Sequence, residues 1–295
     1  MKIENSADYD CIGECEEGLF LVVAKNRKHG FIDETGKEVI PTIYDIASDF
    51  SNGFAKVKLN YKWGLIDKTG KNIGDIKYDL VGDFKEGLAL VNVGDFDYGK
   101  WGFIDETGKV VIPIKYDYAE EFSEGLACVR LRDKFYFIDK TGKRAIPNKY
   151  DEIWSFSDGL ACVMLNNKYG FIDKKGKVVI PIIYKRAYPF SDGLARAKLK
   201  DKYGFIDKNG NVVIPYSYGK VEDFSEGLAM VKESGKQGKW GFIDESGKLV
   251  IDFQYDCGYS FLDGFAYVRL NKEWTSINKS GKESEEEREE WLDKE

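Results

Sequence analysis

The chain has 295 residues, 43% hydrophobic and 15% aromatic, with 31 glycines and a formal net charge of −7. That length buries a sizeable core, and abundant aromatics and glycines point to short strands and tight turns, which excludes a long-helix architecture. Eight acids and two bases after residue 282 supply −6 of the charge, so the body carries only −1, too little basic excess for a nucleic-acid or anionic-membrane surface.

The first residues, Met1 to Asp10, lack the basic start and apolar run of a secretory signal. The longest apolar stretch, Leu19 to Ala24, is too short to cross a bilayer, so no membrane insertion is expected. Five scattered cysteines without an export signal read as reduced thiols in a cytoplasmic protein.

From there the chain repeats itself. A glycine opens each of eight units, at Gly18, Gly53, Gly87, Gly125, Gly159, Gly193, Gly227 and Gly264, and most steps are 34 residues. The longer third and seventh units carry VGDFDYGK and KESGKQGK at the same point, which predicts a loop on a common side.

The fifth unit shows the pattern in chain order. Leu160 to Leu165 alternates as a first strand, a polar turn follows over Asn166 to Lys168, and Tyr169 to Asp173 forms a second strand. The Asp-x-x-Gly-Lys that follows predicts a turn in which Asp173 accepts backbone N–H bonds and Gly176 supplies a positive φ. A third strand, VVI, stops at Pro181, which has no N–H and suits a strand end or edge. The rest, from Tyr-Asp to Phe-Ser-Asp-Gly, is a short fourth strand or a compact loop. Its tyrosine recurs in every unit, and six residues later stands a phenylalanine, with Cys15 in the first unit. Such columns suit inter-repeat packing, since one unit cannot bury its own apolar face.

After Lys282 the third strand is missing. Ser284 and Glu287 have capping-box spacing, and Glu285 to Asp293 reads as a short acidic helix whose Trp291 and Leu292 dock on the last repeat. The domain reading is therefore one repeat domain over 1–282 and an acidic C-terminal cap or tail over 283–295. The fold class is all-β: a tandem array of antiparallel three-to-four-strand units. An open superhelical β-solenoid is preferred, because Met1 to Asp8 is a poor substitute for the missing last strand. An eight-bladed β-propeller is the alternative.

Lys100-Trp101-Gly102-Phe103-Ile104-Asp105, with Val111-Ile112-Pro113 and Tyr116-Asp117 after it, resembles the bacterial WG-repeat family. Trp63-Gly64 and Trp240-Gly241 carry the same dipeptide. Phe135-Tyr136 and Trp274-Thr275 lose its glycine, which predicts a locally altered second strand in those two units. The resemblance implies β-structured tandem repeats of interaction-type function and supplies no catalytic residues.

The chemistry-bearing residues read mostly as structure. The single histidine, His29, stands in the aromatic column and is a packing substitute; no nucleophile elbow, phosphate loop or zinc-type cysteine spacing appears, so no enzyme, metal or cofactor is expected. The aspartate column from Asp33 to Asp244, with Asn278 last, reads as turn capping over calcium binding. The aromatic column (Trp63, Trp101, Phe135, Tyr169, Tyr203, Trp240, Trp274) reads as core over a stacking stripe. Cys128 and Cys162 share a column one unit apart and read as buried free thiols.

Partner contacts are expected where the units differ. One set is the variable position between the constant Ala and Val of the first strand, giving Lys56, Arg196, Met230 and Tyr267. The other is the inserted loops, giving Phe96, Tyr98 and Lys236. The functional expectation is a non-enzymatic scaffold that binds another protein or peptide. A carbohydrate or cell-envelope binding module is the alternative, favoured if the tryptophans are exposed.

Overall fold

A computed structural model describes residues 9–95, 98–147 and 150–283. The chain divides into two compact units, Met1–Asn148 and Lys149–Glu295, each holding four repeats, where the sequence reading drew one array over 1–282. The described residues are strands, turns and bends without a helix, so the fold is all-β as expected. The proposed C-terminal helix and its Trp291 and Leu292 lie outside the described residues.

Each complete repeat is a four-stranded antiparallel meander. In the fifth, a lead strand Glu152–Ser157 is followed by Leu160–Leu165, Lys168–Ile172 and Val178–Tyr184, hydrogen-bonded in that order. The stretch left open in sequence is thus a strand that leads its sheet. The turns explain the meander. Asp158 and Gly159 have φ of 57° and 84°, and Asn166 and Asn167 have 52° and 57°, so both hairpins are of the type whose twist matches the flanking strands. Gly176, at φ 77°, closes the third turn as predicted.

The third strand does not run straight along the second. Tyr169 pairs with Tyr184 and Phe171 with Ile180, leaving an irregularity between them. That detour passes over Gly170: a Cβ there would stand 2.7 Å from Ile182 Cα and 2.8 Å from the Ile180 carbonyl oxygen. Neither approach is tolerable, so the glycine after the aromatic is a space requirement of the third strand. Gly102 and Gly241 would likewise meet the Ile112 and Ile251 carbonyl oxygens at 2.7 and 2.6 Å.

In the two repeats that lack this glycine, the described residues form no third strand. In the fourth, after Lys134–Asp139, only an Ile138–Arg144 bridge continues the sheet, and Arg144 lies 3.8 Å from the Tyr136 ring centroid. In the eighth, after Glu273–Asn278, the described residues give an Ile277–Glu283 bridge. The expected alteration of the second strand is therefore corrected: that strand forms in both, and the change falls on the third.

Cores form between consecutive sheets. Phe171, Ile180 and Tyr184 of the fifth repeat bury against Ala187, Phe190, Ala195 and Ala197 of the sixth, and Phe171 and Phe190 meet with ring centroids 4.9 Å apart. The tyrosine and phenylalanine columns serve inter-repeat packing, as expected. Cys15, at the matching position of the first repeat, is exposed.

A period of two repeats overlies the period of one. Lead strands are long in the first, third, fifth and seventh repeats (Tyr9–Glu16, Leu80–Lys85, Glu152–Ser157, Lys220–Ser225). They shrink to two residues in the others (Ile46–Ala47, Tyr118–Ala119, Arg186–Ala187, Cys257–Gly258). One position alternates with it: the β-branched Ile12, Val81, Ile153 and Val221 stand in the long lead strands, and Ala47, Ala119, Ala187 and Gly258 in the short ones.

Candidate functional site

At Cys162 and Met230 the variable first-strand position packs against the following repeat of the same half. Met230 is only 1% exposed and sits in a core with Trp240, Phe242 and Val268. Cys128 and Cys162 at the same position are fully buried and not in a disulfide, and burial pushes both thiols well above the usual range. Met230 thus has no surface to offer a partner, which corrects that part of the expected contact set.

The two charged members of the column are inter-repeat bolts. Lys56 Nζ lies 2.8 Å from Asp83 of the third repeat. Arg196, at the matching position of the second half, grips Asp223 of the seventh through Nε at 2.5 Å and a terminal nitrogen at 2.7 Å. It also donates to Glu222 at 2.9 Å and to the Val221 carbonyl at 3.1 Å, and stacks 4.0 Å from the Tyr188 ring. Burial raises the Asp223 carboxyl, opposed by Arg196.

The other junctions use a different device. The Gly53 N–H donates to Glu17 at 3.0 Å, and Lys68 pairs with the same carboxylate at 3.0 Å. The clasp recurs with Glu86, Gly125 and Lys140, with Asp158, Gly193 and Lys208, and with Glu226, Gly264 and Lys279. Clasp, bolt, clasp is therefore the order of junctions within each half.

The aspartate column caps turns as expected. Asp33 Oδ1 accepts from the Thr35 and Lys37 N–H groups at 2.9 and 3.1 Å and from the Thr35 hydroxyl at 2.6 Å. The Thr35 hydroxyl, with the two backbone donors, holds this carboxyl below its usual range, partly opposed by burial. Asp67, Asp105, Asp139, Asp173, Asp207, Asp244 and Asn278 accept from the same backbone positions.

A second aspartate, after the column tyrosine, was missed. Asp45, Asp79, Asp117 and Asp256 each turn the chain from one sheet into the next, and each accepts from a lysine of the preceding sheet (Lys28, Lys62, Lys100, Lys239). The other oxygen caps a hairpin of the following sheet, as Asp79 does for the Gly94 N–H at 2.8 Å. The recurrent Tyr-Asp text was the available signal.

The aromatic column is divided. Trp101 and Trp240 are buried at 6% and 9% exposure, while Trp274 is 36% exposed. Tyr267, the last member of the variable column, is half-buried and stacks 5.8 Å from Trp274. In the inserted loops Tyr98 and Lys236 are exposed, and Phe96 lies outside the described residues.

Part of the exposed apolar surface lies where sequence suggested only strand. Val178 and Val179 are each 38% exposed and Ile183 is 50% exposed; Val212 and Val213 are 52% and 39% exposed, and Leu249 and Val250 are 36% and 42% exposed. All lie on third strands, the last in their sheets. Pro181 and Pro215 interrupt two of these edges and Asp252 the third, which discourages addition of another strand. What remains is a rim that contacts through side chains.

No curated protein matches the chain. Among solved structures, one titled as a eukaryotic initiation factor is similar at 10% identity and TM-score 0.39, covering 92% of this chain and 95% of that one. The AfRom2 CNH domain is similar at 10% identity and TM-score 0.33, covering 82% and 96%. Hsv2p of Kluyveromyces lactis is similar at 12% identity and TM-score 0.34, covering 82% and 85%. The WG containing repeat matches residues 30–63, 63–95, 101–135, 137–169, 169–203, 203–236 and 240–274. These matches span more than half of the chain and begin at or beside the aromatic-glycine step, so the protein belongs to the family built from the WG containing repeat.

Proposed function

We propose that this repeat scaffold is non-enzymatic and binds another protein through the aliphatic rim of its third strands. The observation that carries the reading is the recurrence of Val178–Val179, Val212–Val213 and Leu249–Val250 as exposed apolar pairs in three successive repeats. Apolar surface repeated on a rigid frame suits a protein partner, which buries it, better than a nucleic acid. The acids support the non-enzymatic part: the aspartate columns are engaged in turn caps and sheet corners, and the clasps and bolts occupy further carboxylates. Exposed free thiols at Cys11 and Cys15 fit a reducing, cytoplasmic setting.

The test is affinity capture followed by quantitative mass spectrometry, comparing the full chain with a variant carrying Val178→Ser, Val179→Ser, Val212→Ser and Val213→Ser. These side chains are exposed, so the variant is expected to melt with the parent. A protein retained by the parent and lost by the variant supports the rim. Equal retention by both sinks it.

A further inference from the structure

The forward face of the eighth repeat departs from that of every other repeat. In the seventh, Met230, Trp240 and Phe242 bury on the repeat that follows. The eighth has Tyr267, Trp274 and Ser276 in those places. Ser276 takes a position that holds phenylalanine in six of the other repeats and Leu65 in one. It is 4% exposed, yet its hydroxyl makes no hydrogen bond among the described residues. A buried hydroxyl without a partner is costly to keep.

The rings around it are arranged unlike the inter-repeat core. Tyr259 and Tyr267 lie nearly parallel to Trp274, at 21° and 19° and 5.7 and 5.8 Å. The core pair Phe242–Phe261 is instead inclined at 65°. Register places Tyr267 opposite Ser276 and Arg269 opposite Trp274, so all four share one face of the sheet. The Arg269 guanidinium stands 6.0 Å from the Trp274 ring. Tyr259 is 59% exposed and Trp274 36% exposed.

We propose that this face binds a pyranose sugar of a glycan chain. The C–H face of a pyranose is apolar and weakly positive, so it stacks on the electron-rich face of an indole or phenol ring. Its hydroxyls both donate and accept, which answers an unbonded serine hydroxyl and a neighbouring guanidinium. An ordinary core face would need neither. The site is separate from the rim, and its success or failure leaves the rim untouched.

The test uses the full chain labelled with 5-fluorotryptophan and followed by fluorine NMR, the Trp274 resonance being assigned from Trp274→Phe. Cellotriose, chitotriose and maltotriose are titrated to millimolar concentration, with a proline-rich peptide as comparison. At least one trisaccharide is expected to shift the Trp274 resonance and leave that of buried Trp101 in place. Ser276→Ala is expected to weaken binding about 2–10-fold, the range of one net hydrogen bond. Ser276→Phe, which restores the column residue, is expected to abolish it with the near-ultraviolet dichroism of the fold retained. Three results would overturn the proposal: no trisaccharide shifts Trp274, the peptide alone shifts it, or Ser276→Phe binds sugar as the parent does.

Discussion

The fifth and fourth repeats share the turn and second-strand pattern but differ at the position after the aromatic, Gly170 against Tyr136, and along the third-strand text, VVIPIIY against RAIPNKY. Gly170 lets the strand Val178–Tyr184 cross the second strand within 2.8 Å of where a Cβ would stand. At the same place Tyr136 fills that space with a ring, and the segment after it pairs only through the Ile138–Arg144 bridge. In the eighth repeat, with Thr275, the described residues likewise give only the Ile277–Glu283 bridge. The glycine of the repeat is thus a clearance for one specific strand, and repeats that lose it close each half of the chain.

The largest effect belongs to the packing that both kinds of repeat share. Phe190→Ala, which deletes a ring 2% exposed, is expected to destabilise the second half by about 3–5 kcal/mol in chemical denaturation. Cys15→Ala, at the equivalent but exposed position, is expected to stay within about 0.5 kcal/mol. Equal costs would mean the column is not inter-repeat core.

Gly170→Ala sharpens the comparison directly. Overpacking against backbone is expected to cost about 1–3 kcal/mol, whereas Thr275→Gly is expected to cost under about 1 kcal/mol, the backbone-entropy difference alone. Melting of the two variants decides this.

The two junction devices differ in burial and should differ in cost. Arg196→Met leaves Glu222 and Asp223 without their cation, and because those carboxylates are 48% and 45% exposed the loss is set at about 1–2 kcal/mol. Lys56→Met, on a more exposed pair, is expected to cost less.

The clasps give the smallest effect, and its sign follows from their carboxylates. The Lys68 hydrogen bond, opposed by burial and helped by the Gly53 N–H, holds Glu17 below the ordinary glutamate range, and Lys279 does the same for Glu226. A depressed folded value means stability that is present above the unfolded value, about 4.3. It is lost as pH falls through the folded one. Glu17→Gln with Glu226→Gln is therefore expected to flatten the acid limb of the melting profile below about pH 4.5 and leave its neutral plateau shape unchanged.

Much of this was legible because it is local. Turn chemistry announced the capped Asp33 and the positive φ of Gly176, and fixed spacing announced the packed Tyr184 and Phe190. The orientation of the variable column was not legible. Strand alternation marks a buried face only when the other face is wet, and in the fourth repeat Ala127, Cys128 and Val129 are all fully buried. Variation at Lys56, Arg196 and Met230 therefore looked like a personalised surface when it is adjustment of successive interfaces. The bolts could not be foreseen, since Arg196 and Asp223 are brought together only by stacking of sheets. The two-repeat period was present in Ile153 against Ala187, but only a comparison of alternate units exposes it.

The clearance role of the glycine is tested most directly by amide hydrogen exchange on Gly170→Val beside the parent. The account predicts that residues 178–184 lose protection while Leu160–Leu165 and Lys168–Ile172 keep theirs. Undiminished protection across 178–184 would contradict it, showing that the third strand crosses without the space the glycine leaves.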